Sequence, residues 1–108
     1  MAMLSRVQVP PSVKRGETFE IRIAVQHPME TGYRHDDLGR AIPANVVNRL
    51  FARYDGNEIF RAEMDTGIAA NPYLAFFTVA GNPGKIEFAW YDDAGEQGFA
   101  SVELKVEG

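Results

Sequence analysis

The sequence predicts an all-β domain, and three observations support that prediction. Residues 19–25 alternate apolar and polar side chains, which is the period-two pattern of a strand with one buried face. No segment has the apolar spacing of a long amphipathic helix. Six further runs carry β-branched or aromatic residues and are separated by turn residues: 3–9, 46–54, 58–64, 73–80, 84–91 and 97–106. We therefore expect seven strands.

The segment before the clearest strand has its own signals. Residues 10–18 indicate a proline-marked edge segment and a turn at Gly16 that leads into strand 19–25. In this strand Glu20 and Arg22 fall on one face. The apolar residues of the other face, which we expect in the core, are Phe19, Ile21, Ile23 and Val25.

Three short segments rich in Gly, Asn and Asp predict hairpin turns, because these residues accept the positive φ that a tight reversal needs. They are residues 55–57, 82–84 and 92–95. Seven strands joined in this way favour a two-layer, immunoglobulin-like antiparallel β-sandwich over a closed barrel, which the sequence alone does not exclude. The later strands are expected to contribute to the core Phe76 or Phe77, Phe88, Trp90, Leu104 and Val106.

Length and composition indicate a single domain over residues 1–108 and exclude some classes of function. A chain of 108 residues, 45% of them hydrophobic, can bury a core without disulfides or metal. Its net charge of −4 lacks the basic surface that nucleic-acid binding requires. Because the chain has no cysteine, it offers no thiol as a nucleophile, a metal ligand or a carrier of sulfur.

The sequence also predicts neither a membrane anchor nor an export signal of its own. No run of about 20 apolar residues is present. Residues 1–9 lack the apolar stretch of a signal peptide.

Two segments do not fit the strand pattern. Residues 27–44 form a long connection for a compact domain, where most connections have about 4–6 residues, and long loops often bind partners. Residues 67–73 are nearly uncharged and contain small residues, a proline and a tyrosine, so a partner can approach the backbone there. Both segments are candidate contact regions.

The first of these segments also contains potential metal ligands. Soft or borderline donors that suit copper are His27, Met29 and His35, with Glu30, Asp36 and Asp37 as harder alternatives. Their spacing matches no compact ligand motif. A histidine before a proline at a strand end is more often a hydrogen-bonded anchor of a loop, so copper binding is the weaker interpretation.

Catalytic motifs have even less support. The adjacent acids at residues 36–37 and 92–93 lie in predicted loops, where such pairs are usually solvated turn residues. None of the serines Ser5, Ser12 and Ser101 stands in a nucleophile-elbow sequence. We expect no catalytic residue and no cofactor in this chain.

Two specific pieces of the sequence resemble a known family. They are His-Pro-Met-Glu-Thr-Gly at residues 27–32 and Gly-Ile-Ala-Ala-Asn-Pro-Tyr at residues 67–73. The flanking VKRGETFEIRI and GKIEFAWYDDAGE are similar to the same family, so the likeness covers essentially the whole chain. On these residues the chain resembles the SoxZ family, the small subunits of the SoxYZ sulfur carrier complex of bacterial thiosulfate oxidation.

This resemblance implies an immunoglobulin-like, non-catalytic subunit that pairs with SoxY in a heterodimer. In that family SoxY carries the sulfur intermediate on a cysteine near its flexible C terminus, and other Sox enzymes visit the complex to load, oxidise and hydrolyse it. The family is periplasmic, and the twin-arginine signal of the partner is understood to export the folded pair. In isolation, an uncovered partner face would favour homo-oligomers.

A heterodimer requires an interface, which typically removes about 800 Å² from each partner around aromatic, Met or Arg anchors. We expect exposed strand faces and the loops 27–44 and 67–73 to supply it. The candidate partner-binding residues are His27, Met29, Glu30, Tyr33, Arg34, Asn71, Pro72 and Tyr73.

A second hypothesis concerns the cations of the chain. Charge-assisted hydrogen bonds to the anionic sulfur-bearing segment, or to the visiting enzymes, would come from Arg34, Arg40 and Lys14 or Arg15. The competing function is a free-standing periplasmic binding or copper-handling module with a similar sandwich.

Overall fold

Strands dominate the computed structural model, which describes residues 4–65, 67–68 and 70–108. The first residue of the predicted run 3–9 and residue 69 of the predicted loop 67–73 lie outside this description. The strands are β1 (Ser5–Gln8), β2 (Val13–Lys14), β3 (Thr18–Val25), β4 (Val47–Tyr54), β5 (Asn57–Glu63), β6 (Tyr73–Val79), β7 (Gly84–Asp92), β8 (Gln97–Leu104) and β9 (Val106–Glu107).

Two antiparallel sheets form the layers of a sandwich. One sheet has the strand order β1-β3-β6, and the other has the order β5-β4-β7-β8. A short parallel pair, β2 and β9, brings Val13 beside Val106. In the described part of the chain there is no helix that could cross a membrane. The predicted all-β, immunoglobulin-like sandwich is confirmed.

All seven predicted strands are confirmed, as β1 and as β3 to β8. The predicted run 97–106 ends earlier as a strand, at Leu104, and resumes as β9. The sequence predicted neither the two-residue strand β2 nor its pairing with β9, although Val106 of β9 lies in the predicted run 97–106. A strand so short has no period to recognise, and these two pair across opposite ends of the chain.

Two of the three predicted hairpin turns are confirmed and one is wrong. Asp55 and Gly56, with φ of 52° and 82°, join β4 to β5 as a two-residue turn. The turn at 92–95, with Gly95 at a φ of 84°, joins β7 to β8. Residues 82–84 instead connect β6 to β7, which belong to different sheets. Turn residues predict where the chain reverses, but not which strand it then pairs with.

The core lies between the two sheets. Its fully buried large side chains are Trp90, Phe88, Ile21, Ile23, Leu50, Ile86, Val25 and Val47. Phe76 on β6 stacks on Phe60 of β5 with 4.2 Å between ring centroids, and so links the sheets. Phe76 is 8% exposed and Phe77 is 65% exposed, so the core residue of this pair is Phe76. This packing fixes which face of β6 points outward.

The indole of Trp90 occupies the space over Gly98. The two residues are direct cross-strand partners on β7 and β8. A Cβ at position 98 would overlap the indole ring. Trp90 is fully buried, and within the described structure its Nε1 has no hydrogen-bond partner. The absence of a side chain at position 98 is therefore what lets this large residue fit into the core.

Replacing Gly98 by alanine is expected to lower the free energy of unfolding by about 1–3 kcal/mol, because the indole of Trp90 must move out of its position. Urea-induced unfolding measures this loss. The matched control is Gly81→Ala, where the new Cβ would have no neighbour closer than 4.0 Å. That change is expected to stay within about 0.5 kcal/mol, and equal losses in the two variants would contradict the packing described for Trp90.

Candidate functional site

A long loop between β3 and β4 leaves one end of the sandwich, as the sequence predicted. Its outer part, residues 30–45, folds back on itself, with bridges that pair Glu30 with Asn45 and His35 with Ala41. We call this part the projecting loop. All of residues 33–41 except Asp36 are exposed. The molecule is 61 Å long, whereas an eight-residue strand spans about 27 Å, which agrees with a loop that extends beyond the sheets.

Asp36 fixes the tip of the projecting loop. Its Oδ1 accepts hydrogen bonds from the backbone N–H groups of Leu38 and Arg40, at 2.9 and 3.0 Å, and its Oδ2 pairs with the Arg40 guanidinium at 3.0 Å. These bonds, led by the one from the Arg40 backbone, lower the pKa of the Asp36 carboxyl. The ionised carboxylate thus holds a turn that exposes Leu38, whose side chain is 76% exposed.

His27 anchors the base of the loop through four hydrogen bonds. Its backbone N–H donates to Asn71 Oδ1 at 3.0 Å, and its carbonyl accepts from the Asn71 N–H at 2.7 Å. Its ring nitrogen Nδ1 accepts from the Met29 N–H at 2.9 Å. The ring proton therefore lies on Nε2, which donates to Asp92 Oδ2 at 3.1 Å. His27 thus joins three separate segments of the chain, through its backbone to Asn71 and through its buried imidazole to Met29 and Asp92.

Met29 closes this end of the sandwich. Its side chain is 4% exposed, and its sulfur accepts a hydrogen bond from the Val47 N–H on β4 at 3.2 Å. Its φ of 52° is a value that few non-glycine residues adopt. The hydrogen bond from its N–H to the ring of His27 supports that conformation. His27 and Met29 therefore act together to set the direction in which the projecting loop leaves the sandwich.

The acidic pair at residues 92–93 belongs to the same base. Asp92 also accepts from the Glu96 N–H through Oδ1, at 2.8 Å. Asp93 accepts from the Val46 N–H at 3.1 Å and from the Asn48 side-chain amide at 2.8 Å. Every oxygen of the two carboxylates thus has a donor. The pair binds polar groups at the end of the sandwich. The expectation that both acids are solvated is wrong for Asp92, which is 5% exposed.

Three of the predicted partner-binding residues need correction. The side chains of His27, Met29 and Pro72 are buried within this chain. The carbonyl of Pro72 also accepts a hydrogen bond from the Val25 N–H at 3.0 Å. These side chains hold the loops in place and are not available as contact residues. A methionine or a proline in a loop can be buried in its own chain or exposed to a partner, and the sequence did not distinguish these two cases.

The other five predicted residues reach the surface to different degrees. Glu30 is partly buried and pairs with Arg34 at 3.4 Å. Asn71 is exposed, but its φ of 54° and its two bonds to His27 give it a structural role. Tyr33 is 82% exposed and Tyr73 is 58% exposed. For these five residues partner binding stays a prediction.

The cations proposed to act together are far apart. Arg34 and Arg40 lie in the projecting loop and already pair with carboxylates at 3.4 and 3.0 Å. Lys14 and Arg15 precede β3, whose eight residues place them about 27 Å from the base of the loop. These cations therefore do not form a single site, and a role for either group in attracting the sulfur-bearing segment or a visiting enzyme stays a prediction.

The donors suggested for copper are not arranged as a site. Both ring nitrogens of His27 and the sulfur of Met29 are engaged in hydrogen bonds inside the chain. His35 is exposed in the projecting loop. Within the described ranges, His, Asp and Glu residues form no group of three that could hold a metal ion. The histidine instead takes the alternative role, that of a hydrogen-bonded loop anchor.

Apart from Tyr73, the outer face of β6 was not among the predicted contact residues. Phe77 is 65% exposed and Val79 is 57% exposed, and they continue the line that begins with Tyr73. A signal was present in the sequence, because the strand YLAFFTV has apolar residues on both of its faces. The strand therefore presents an uncovered row of apolar side chains at the edge of its sheet.

The outer face of the four-stranded sheet carries a shallow groove of about 370 Å³. Phe51 and Phe99 are among its lining residues, and Phe99 is 67% exposed. The Arg61 guanidinium lies 4.9 Å from the centre of the Phe51 ring. A second cation, Arg49, lies 4.7 Å from the centre of the Tyr91 ring. Charged side chains of the same sheet thus cover part of this apolar face.

Replacing Asp92 by asparagine is expected to lower the free energy of unfolding by about 1–3 kcal/mol, because one of its two donors would then face an amide NH₂ in a buried position. The control is the same substitution at Asp37, which is exposed in the projecting loop. Urea unfolding of both variants measures the difference. If Asp92→Asn is as stable as Asp37→Asn, the hydrogen bond to His27 does not anchor this end of the sandwich.

Solved structures similar to this chain share its sandwich. Superoxide reductase (neelaredoxin) from Ignicoccus hospitalis aligns with a TM-score of 0.73 at 20% identity, over 97% of this chain and 82% of that one. The sulfur carrier protein SoxY from Chlorobium limicola f thiosulfatophilum aligns with a TM-score of 0.67 at 9% identity, over 96% of this chain and 79% of that one. At these identities the likeness establishes the fold alone.

Comparison with protein families is more specific. No curated protein matches the chain. The family described as "Sulphur oxidation protein SoxZ" matches residues 7–103. The matched region includes the whole projecting loop, the His27 anchor and the acidic turn at 92–93. The chain belongs to the SoxZ family.

Proposed function

We propose that this chain is the non-catalytic subunit of a heterodimeric sulfur carrier complex. It binds and supports a SoxY-type subunit, whose C-terminal cysteine carries the covalent sulfur intermediate during thiosulfate oxidation. The observation that carries this proposal is the family match over residues 7–103. The fold shared with a SoxY sulfur carrier protein agrees with it, since both subunits of such a complex would then be sandwiches of one kind.

The residues of this chain suit a supporting role. A covalent sulfur carrier needs a thiol, and the chain has no cysteine. Its buried polar groups at the loop base, His27 and Asp92, are occupied by hydrogen bonds to each other and to the backbone. The division of labour proposed here therefore places the reactive group on the partner and a rigid surface on this chain.

The projecting loop is the part of this surface that we propose for docking the Sox enzymes that act on the carrier. Tyr33 and Leu38 are 82% and 76% exposed. They stand on a loop whose tip is fixed by Asp36 and whose base is fixed by His27. A rigid loop loses little conformational entropy on binding, so its exposed aromatic and aliphatic groups can contribute to affinity.

The location that we propose is the periplasm, with export in company with the SoxY-type partner. This proposal rests on the resemblance to the SoxZ family. The competing proposal, a free-standing module that handles copper, is weakened by the hydrogen bonds that occupy His27 and Met29.

Co-expression with a cysteine-tailed SoxY-type protein from the same genome is expected to yield a 1:1 complex. Its mass in solution and its metal content are the measurements. We expect one copy of each chain and no stoichiometric copper. A chain that remains separate from that partner, or that binds one copper ion and loses it in His27→Ala, would favour the free-standing module.

Replacing both Tyr33 and Leu38 by alanine is expected to leave the complex intact but to raise the apparent KM of at least one Sox enzyme for the carrier about fivefold or more, which corresponds to about 1 kcal/mol. Steady-state turnover with the purified complex measures this. The control is Lys14→Ala/Arg15→Ala, at the opposite end of the sandwich. An unchanged KM for every Sox enzyme would show that the projecting loop does not dock them.

A further inference from the structure

We propose that the free edge of β6 is the docking surface for the SoxY-type subunit, and that a strand of that subunit adds to β6 as a further strand of the three-stranded sheet. This inference rests on the proposed function, which names the partner. It specifies the part of the chain that holds the two subunits together. Three features of β6 carry it: its unused backbone groups, its apolar outer face and its lack of charge.

The backbone of β6 has hydrogen-bonding groups that its own sheet leaves unused. β6 is the last strand of the sheet and, among the described strands, pairs with β3 alone. The bonds from the Val25 N–H to the Pro72 carbonyl and from the Ala80 N–H to the Glu17 carbonyl show which opposing residues exchange hydrogen bonds. In an antiparallel pair such positions alternate with positions whose groups point away. The alternation assigns free N–H and C=O groups to Tyr73, Ala75, Phe77 and Val79.

The same four residues form the apolar outer face of the strand. All four are exposed, with values of 58% for Tyr73, 65% for Phe77 and 57% for Val79. Successive members are two residues apart, so the row is about 20 Å long. No ring stacks on any of them within the described residues. On the inner side of the row, Glu20 and Arg22 of β3 stand beside Phe77 and Ala75 and pair with each other at 2.6 Å. The row is therefore open to a partner along its free edge.

The other edge strands of the sandwich are protected in the usual ways. β1 carries Arg6 and is followed by two prolines, β5 carries three charged residues beside a bulge in its pairing, and β8 carries Glu103. Such charges, prolines and bulges oppose the addition of another strand. β6 has no charged residue, no proline and no bulge in its register with β3. Of the edges of the two main sheets, this is the one that favours strand addition.

A SoxY-type subunit is a suitable occupant because SoxY has this fold. The SoxY structure aligns with 96% of this chain, so its sandwich contains a strand equivalent to β6. Two such strands can pair about an approximate two-fold axis and join the two sheets into one. A second copy of this chain would present the same edge, so a homodimer of the isolated chain is the alternative that an experiment must distinguish.

The position of β6 also allows an interface of sufficient size. A typical interface covers about 800 Å² per partner, which is roughly an eighth of the 6884 Å² surface of this chain. A strand edge about 20 Å long supplies only part of that area. The strand starts at Tyr73, two residues after Asn71, which is bonded to the base of the projecting loop through His27. The interface can therefore extend from β6 onto the loops at that end.

The test compares two exposed phenylalanines on opposite faces of the sandwich. Phe77→Glu places a charge on the β6 edge, and Phe99→Glu places the same charge on the four-stranded sheet, where the side chain is 67% exposed. Affinity for the purified SoxY-type subunit is measured for both variants by calorimetry, after urea unfolding has shown them to be folded. We expect Phe77→Glu to weaken binding at least 30-fold and Phe99→Glu to change it less than threefold. Val79→Lys, a second exposed position on β6, is expected to repeat the loss.

The outcomes separate this inference from the proposed function. If the unaltered chain binds the partner and Phe77→Glu and Val79→Lys bind equally well, the β6 surface is wrong and the proposed function stands. A loss confined to Phe99→Glu would place the interface on the four-stranded sheet, and a homodimer that Phe77→Glu abolishes with partner affinity unchanged would assign β6 to a second copy. If the unaltered chain does not bind the partner at all, both proposals are overturned.

Discussion

The buried hydrogen bond between His27 and Asp92 is the constraint on which this end of the molecule depends. It connects the end of β3 in one sheet to the end of β7 in the other. A carboxylate with so little exposure is costly to bury unless its oxygens have donors, and here the imidazole and a backbone N–H supply them. Without this pair the base of the projecting loop would lose the side-chain bond that connects the two sheets there.

Further interactions at this end follow from the position of the imidazole. The tautomer that donates to Asp92 leaves Nδ1 free to accept the Met29 N–H, and this bond supports the unusual φ of Met29. Met29 then packs into the sandwich end with its sulfur on the Val47 N–H. The residues that looked most like reactive or metal-binding groups are therefore those that give the loop its shape. This arrangement suits a subunit that positions a partner and carries no reactive group of its own.

Much of the fold follows from the sequence because burial imposes a period on each long strand. Strand 19–25 shows this best, since its four apolar residues are all buried in the structure. The long loop after it was predictable because no such period exists there. By contrast, Asp92 lies 65 residues from His27, and nothing local in either segment identifies the other as its partner.

Other features of the fold could not be predicted either, because they also depend on contacts between residues that are far apart in the sequence. The turn residues at 82–84 indicate a reversal, whereas the next strand joins the other sheet. Phe76 and Phe77 are equally apolar, so only the packing of Phe76 on Phe60 decides which one is buried. The exposed row on β6 became visible only once this choice was made. The candidate partner surface thus depends on tertiary packing, although all of its residues lie in the single strand β6.

Amide hydrogen exchange can show directly whether a SoxY-type subunit binds along the edge of β6. In the free chain the N–H groups of Leu74, Phe76 and Thr78 are bonded to β3 and should exchange slowly. Those of Tyr73, Ala75, Phe77 and Val79 should exchange fast alone and slowly in the complex. A stable complex in which these four amides exchange as fast as in the free chain would show that the partner does not bind at this edge.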